Sequence, residues 1–304
     1  MKTSFMRFAW FALLCLALAY NACAAIEDGQ TIDIPGGRLY YHTVGSGSGT
    51  PLIVLNGGPG FDHTYLHAST AWDTLAKNRR IIFYDQRGDG RSGPLKAGQS
   101  CTLADQIGDL EALRTHLKLD KWDVLGHSWG GYLSMAYSAR HPERVAHLLI
   151  VDSAAPKFSD TIFLFADIFP ETVERRASYT FADEMGDKAA SDGSIREYLT
   201  MLFYSNEKRD AFIAQMQPTA YSKDVFTTLI RDIARFDLNP ELPKFKMPTM
   251  VVTGRYDINV APLVAWKIHH AIAASKFVVF DRSGHIPFYE EPEAFVRAVE
   301  DFLK

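Results

Sequence analysis

The segment Gly126-His127-Ser128-Trp129-Gly130 follows a short apolar run, Trp122 to Leu125, and opens a stretch of helical character ending near His141. A serine held at a sharp strand-to-helix turn has its hydroxyl exposed above a sheet. Glycines on both sides allow the strained backbone and close helix packing of such a turn. The chemistry this suggests is nucleophilic attack on a carbonyl. A serine hydroxyl is a poor nucleophile until a base takes its proton, and the base needs a carboxylate to fix its tautomer and stabilise the imidazolium. Both partners follow in the order Ser, Asp, His. Asp257, in Thr253-Gly254-Arg255-Tyr256-Asp257, comes directly after the β-like run Met250 to Thr253. His285, in Ser283-Gly284-His285-Ile286-Pro287-Phe288, comes after the run Lys276 to Phe280. An aspartate after a strand also serves as a turn or helix cap; its place in this series selects Asp257 as the acid. Of ten histidines, His285 alone lies on a loop beyond Asp257. His269 and His270 fall inside a helical stretch, and the side chain of His127, next to the serine, points away from it.

An oxyanion formed at the carbonyl needs two preorganised N–H donors, one from the residue after the nucleophile and one from a loop after an early strand. Trp129 supplies the first. The second is assigned to Gly58 in Asn56-Gly57-Gly58-Pro59-Gly60, which follows the apolar run Pro51 to Leu55. That loop lacks the Lys-Ser/Thr of a phosphate-binding loop and the spacing of a dinucleotide fingerprint. No cofactor is expected. No metal site is expected either, on the reading that no histidine or cysteine pair stands at ligand spacing.

The elements that must hold these residues are strands alternating with helices. Arg38 to Val44, Pro51 to Leu55, Arg80 to Tyr84, Trp122 to Leu125, Val145 to Val151, Met250 to Thr253 and Lys276 to Phe280 read as strands, several apolar throughout as buried parallel strands are. Leu103, Ile107, Leu110, Leu113 and Leu117 recur at helical spacing, as do Phe295, Val296, Val299 and Leu303 near the C-terminus. Gly45 to Gly49 reads as a short flexible turn. The pattern predicts an α/β fold, a mostly parallel sheet with helices on both faces. It breaks between Ser153 and Leu242, a helical segment carrying Phe158, Phe163, Phe165, Phe169, Phe181, Phe203 and Tyr204. This reads as an inserted cap, most of its rings forming the cap's own core and a minority facing a substrate pocket. The divisions are then 1–25, 26–152 for the first part of the core, 153–242 for the cap and 243–304 for the rest of the core.

With 304 residues, 47% of them hydrophobic, the chain can bury a sizeable core. Its net charge of -4 and the absence of a basic run exclude a nucleic-acid surface. Residues 1–25 read as a signal peptide: Lys2 and Arg7 lead, Phe8 to Tyr20 is almost wholly apolar, and Ala22-Cys23-Ala24-Ala25 offers small residues for cleavage. The run is too short for a comfortable membrane span. A lipid anchor at Cys23 is disfavoured by Tyr20, where an aliphatic residue would stand. The expectation is a secreted or periplasmic protein with Cys101 as its one remaining thiol and a small molecule or short peptide as substrate.

Several segments together resemble the proline iminopeptidase family of α/β-hydrolases. They are Asn56 to Gly60, Asp85-Gln86-Arg87-Gly88-Asp89-Gly90-Arg91-Ser92, Asp109 to Arg114, Trp122 to Gly131, Gly254 to Asp257 and Ser283 to His285. The resemblance implies the α/β-hydrolase fold with a helical cap, a serine peptidase releasing N-terminal proline, and cap carboxylates that hold the substrate amine. Ser128 stands where the family has its nucleophile. Two positions depart from the pattern: Asn56 replaces the usual His, and the cap has no Trp to match the family's amine-binding segment. Glu171, Glu174, Glu184 and Glu197 lie in the cap and read as solvated helix-surface carboxylates. A carboxylesterase or lactonase with an apolar cap pocket is the alternative. Arg87 and Arg91 read as ties between loops below the site.

Overall fold

The computed structural model describes residues 29–216 and 221–304. The expected signal segment and Cys23 lie outside the described residues. Seven strands form one sheet: β1 (Gln30–Ile34), β2 (Gly37–Leu55), β3 (Arg79–Tyr84), β4 (Trp122–His127), β5 (Val145–Val151), β6 (Thr249–Gly254) and β7 (Lys276–Phe280). Their order is β1-β2-β4-β5-β6-β7, with β3 paired to β2. β2 pairs antiparallel with β1 and β3, while the pairs from β2 through β4, β5 and β6 to β7 are parallel. Every residue of β4 and β6 is buried. Strands covered on both faces can be apolar throughout, which is why they were readable as runs.

Two details correct the sequence reading. Gly45 to Gly49 is not a turn: it lies inside β2, whose pairing with β3 continues through Ser48 and Gly49 opposite Arg79 with shifts of register. Glycines tolerate such an irregularity, so one long bent strand carries both apolar runs. β1 was not expected. It is an edge strand in which Ile32 and Ile34 are buried while its polar residues face out, and five residues give too little pattern to read.

Helices cover the sheet. Leu103–His116 begins with a capping box, Thr102 Oγ1 accepting from Asp105 N and the Asp105 carboxylate from Thr102 N (2.8 Å). Trp129–Arg140 is buried from Trp129 to Ser138. Pro292–Phe302 buries Phe295, Val296 and Val299, as its spacing predicts.

Between β5 and β6 come the helices Phe165–Ile168, Pro170–Ser178, Thr180–Glu184, Lys188–Thr200, Asn206–Gln215 and Lys223–Ile233. The expectation that most aromatics of this segment fill its core does not hold. None of the seven rings is buried, and Phe181 is 77% exposed. The interior is instead made by Met201, Leu202, Phe212, Val225, Leu229 and Ile233. No helix among the described residues is long and apolar enough to cross a membrane.

On the segment after β3, Asp89 is buried with both carboxylate oxygens unpaired. Burial, then the charges of Asp85 and Asp62, push its pKa well above the ordinary value. The unfolded chain therefore releases this proton before the native state does, and native stability falls as pH rises above about 4. Asp89→Asn is expected to raise the denaturation midpoint at pH 8, each unit of raised pKa being worth about 1.4 kcal/mol. The gain over wild type should shrink to nothing near pH 4. Urea titrations of both proteins at the two pH values check this.

Candidate active site

Ser128 sits between the end of β4 and the helix Trp129–Arg140 with φ 58° and ψ −118°, a conformation that non-glycine residues rarely adopt. Its neighbours make room for it. A Cβ on Gly126 would lie 2.1 Å from the Gly130 carbonyl oxygen, and one on Gly130 would lie 2.1 Å from that of Leu55. The backbone is also pinned, Ser128 N donating to the Val151 carbonyl of β5 (2.9 Å).

Asp257 and His285 meet as the sequence requires. His285 Nδ1 donates to Asp257 Oδ2 (2.8 Å), and Asp257 Oδ1 accepts from the backbone N–H groups of Asn259 and Val260 (2.9 Å each). With Nδ1 carrying the proton, Nε2 is the basic nitrogen; here it accepts from Asn259 Nδ2 (2.8 Å). No hydrogen bond joins Ser128 Oγ to His285 among the described residues. Both side chains instead line one small cavity with Gly57, Gly58 and Tyr65.

Asp152, at the end of β5, was not singled out from the sequence. It is buried at φ 44°, its Oδ1 accepts from Gly254 N (2.8 Å), and Oδ2 faces no donor. Ligand atoms of Asp152, Asp257 and His285 lie within 4.8 Å of one another. Burial, and then the adjacent charge of Asp257, raise the Asp152 pKa well above the carboxylate range, so this acid keeps its proton.

Gly58 (φ +127°) and Trp129 line the larger cavity together with Ser128. A Cβ on Gly57 would come within 3.0 Å of Ser128 Cβ, so the loop passes directly over the serine. Trp129 opens its helix, where the first N–H groups lack intrahelical acceptors. A side-chain chain joins Trp129 to the glycine loop: Trp129 Nε1 donates to Gln86 Oε1 (2.8 Å), Gln86 Nε2 to Asn56 O (3.0 Å), and Asn56 Nδ2 to Phe61 O (2.6 Å). Asn56 thus braces the loop from within. Arg87 reaches Asp109 of the helix Leu103–His116 through two bonds (2.9 and 2.5 Å) and Arg91 reaches the Tyr40 hydroxyl of β2 (2.6 Å), so these contacts fasten the segment after β3 to a helix and a strand rather than loop to loop.

A second chain runs through Tyr65, which sequence reasoning missed. Gly57 N donates to the Tyr65 hydroxyl (2.6 Å), that hydroxyl donates to His127 Nδ1 (2.6 Å), and His127 Nε2 donates to the His285 carbonyl (2.8 Å). Burial, then the neighbouring His285, hold His127 well below its ordinary pKa. It stays neutral and positions backbone rather than acting as a base. Glu290, also missed, accepts from Tyr204 N (3.0 Å), Ser205 N (2.9 Å) and Gly284 N (2.6 Å), fastening the inserted helices to the histidine loop. These pairings join residues 62 to 158 positions apart, or sit on loops without a repeating pattern, so no local signal marks them.

A larger cavity of about 370 Å³ opens from Ser128 toward the inserted helices. Phe158, Phe163, Phe165 and Phe226 line it, with Arg176, Asp183 and Lys223 as its charged residues. Asp183 pairs with Lys223 (3.2 Å), and Arg176 lies over the Tyr198 ring (4.8 Å). Glu171, Glu174, Glu184 and Glu197 do not line it. Cys101 is buried and its thiol is pushed up to about 12 by burial, which leaves it unreactive. The reading that no histidine pair stands at ligand spacing is corrected: His63 and His67 are four residues apart and share a buried cluster with His42.

The model of a family described as alpha/beta hydrolase fold matches residues 50–292. The proline iminopeptidase of Heyndrickxia coagulans is 29% identical over 288 residues, 90% of this chain and 97% of that protein. That of Lactobacillus crispatus (strain ST1) is 31% identical over 285 residues, 88% of this chain and 95% of that protein. An alpha/beta fold family hydrolase from Bacillus anthracis str. Sterne superposes with a TM-score of 0.74 at 22% identity, covering 90% of this chain and 99% of its own.

Tyr65→Phe removes the acceptor of Gly57 N–H and the donor to His127 at once. Each buried group left unpaired costs about 1–3 kcal/mol. The variant is expected to unfold at lower denaturant with an unchanged slope, as measured by urea titration.

Proposed function

We propose that this chain, which belongs to the proline iminopeptidase family of α/β-hydrolases, releases N-terminal proline from short peptides through an acyl-enzyme formed on Ser128. The observation that carries the chemistry is the buried His285–Asp257 pair, whose imidazole lines the same cavity as a serine held at left-handed φ. Ser128 Oγ attacks the carbonyl carbon as His285 Nε2 takes its proton, once Asn259 has released that nitrogen. Asp257 keeps the ring oriented and stabilises the imidazolium, while the N–H groups of Gly58 and Trp129 receive the oxyanion. The imidazolium then gives its proton to the leaving amine. A water molecule, deprotonated by the same nitrogen, releases proline and restores the serine.

The cap cavity supports a peptide over a neutral ester. Its apolar wall accommodates a pyrrolidine ring, and its charged residues are one carboxylate, Asp183, and two cations, Arg176 and Lys223. A short peptide carries both an ammonium and a carboxylate to match them; a neutral ester uses neither. Asp183 is the carboxylate assigned to the substrate amine, in place of the four cap glutamates that face away from the cavity.

Ser128→Ala is expected to lower turnover of a proline arylamide on the order of 10⁴-fold or more; undiminished turnover would overturn the assignment of the nucleophile. Asp183→Asn removes a charge-assisted bond worth about 1.5–3 kcal/mol, so KM for the arylamide should rise about 10- to 150-fold while a short acyl ester is hardly affected. Rapid ester cleavage by wild type without arylamide cleavage would replace the peptidase reading by the carboxylesterase or lactonase one.

A further inference from the structure

Behind the Gly57–Gly60 loop, and apart from both cavities, three imidazoles face one another. His42 comes from β2, while His63 and His67 come from the 3₁₀ helix His63–Ala68. Ring centroids are 5.0 Å apart for His42 and His63, 4.9 Å for His42 and His67, and 5.1 Å for His63 and His67. One ligand nitrogen from each lies within 4.8 Å of the others. His42 Nδ1, His63 Nε2 and His67 Nε2 are all buried and have no hydrogen-bond partner. Buried polar atoms are almost always paired, so three unpaired nitrogens at one point call for an occupant that takes lone pairs.

The surroundings prepare these nitrogens as ligands. His63 Nδ1 lies 2.5 Å from Asp85 Oδ1, which also accepts from His63 N (3.1 Å). The carboxylate holds the proton on Nδ1 and leaves Nε2 as a lone pair, the tautomer and outer carboxylate usual for a metal-bound histidine. Phe83 stacks on His42 (5.2 Å, 17°) and Tyr40 on His63 (5.8 Å, 25°), fixing two ring planes. Asp85 supplies a negative charge beside the cluster. The nearest cation, Arg91, is engaged by the Tyr40 hydroxyl and ring. His67 is only half-buried, so its edge of the cluster reaches the surface.

We propose that His42, His63 and His67 form a three-histidine site for a divalent transition metal of the zinc class. Imidazole nitrogens select Zn²⁺, Cu²⁺, Ni²⁺ or Co²⁺ over Mg²⁺ and Ca²⁺. Metal–nitrogen bonds of about 2.0–2.1 Å in tetrahedral geometry bring such nitrogens to about 3.4 Å, a closure on the order of an ångström from their present spacing. The site is structural in its placing. The 3₁₀ helix that carries His63 and His67 also carries Tyr65, whose hydroxyl accepts from Gly57 N, so a bound ion would stiffen the loop over Ser128.

The test uses the full chain purified without a histidine tag and freed of metal by a chelator. Titrated with Co²⁺, it should develop the intense visible band of a tetrahedral nitrogen site at one ion per chain. Zn²⁺ should displace that band and raise the melting temperature, while Mg²⁺ should do neither. His67→Ala and His42→Phe should each weaken Co²⁺ binding at least about 100-fold, more than the loss of an outer-shell partner. His42→Phe keeps a ring stacked on Phe83, and far-ultraviolet dichroism shows whether either variant is folded. Ser128→Ala and His285→Ala should bind as wild type does. The proposal is overturned if wild type develops no band at tens of micromolar Co²⁺. Unchanged affinity in whichever histidine variant folds overturns it too, as does loss of binding in His285→Ala, which would move the ion to the Asp152, Asp257 and His285 cluster.

Discussion

The strained backbone of Ser128 is the constraint around which the structure is arranged. A non-glycine residue at φ 58° persists only where its surroundings determine it. Those surroundings are specific: the approach of Gly126 to Gly130, the contact of Gly130 with Leu55, and the bond from Ser128 N to the β5 carbonyl. Three adjacent parallel strands, β2, β4 and β5, must be in register before that turn can close. The sheet is therefore the device that holds one serine at the wall of both cavities, with its helix N-terminus directly behind.

The three loops that meet at the serine are held by neutral, buried hydrogen bonds rather than by ion pairs. Gln86 and Asn56 connect the Trp129 side to the glycine loop, while Tyr65 and His127 connect that loop to His285. Burial keeps His127 uncharged, which suits a bridging role: each ring nitrogen has one fixed partner, and a charged ring so close to His285 would disfavour the imidazolium formed during reaction. Glu290 does the same for the inserted helices with three backbone donors. Positioning through directional bonds to backbone leaves the His285–Asp257 hydrogen bond as the contact that orients the base.

What the sequence displays and what it conceals follow from how far apart the interacting residues are. Ser128, Asp257 and His285 are legible because each lies directly after a strand whose apolar run is itself readable, and chain order assigns their roles. The helices from Leu103 and to Leu303 are legible for the same reason, a repeat within one turn or two. Tyr65, Asp152, Asn259 and Glu290 carry no such signal, since their partners are set by the fold. The cap rings mislead because apolar composition suggests a core, whereas Phe158, Phe163 and Phe165 line an open cavity and Phe181 faces solvent. The His63 and His67 spacing is visible in the chain; that His42 joins them depends on the pairing of β2 with β3, which seats it opposite Phe83.

Asp152 places a buried, protonated acid beside the pair that orients the base. Two carboxyl groups so close in a buried setting repel each other when both are charged, and burial with the adjacent Asp257 charge raises the Asp152 pKa so that Asp152 keeps its proton. Asp257 has the stronger claim to the charge: it accepts two backbone N–H bonds and one from the imidazole, whereas Asp152 has one backbone donor. The proton therefore rests on Asp152, whose Oδ2 has no hydrogen-bond partner among the described residues. Asp257, held by two backbone N–H groups and the imidazole, has little freedom to rotate. The base is then oriented by a group with one position available to it, and Asn259, the contact on the opposite nitrogen, is the one that must yield when substrate arrives.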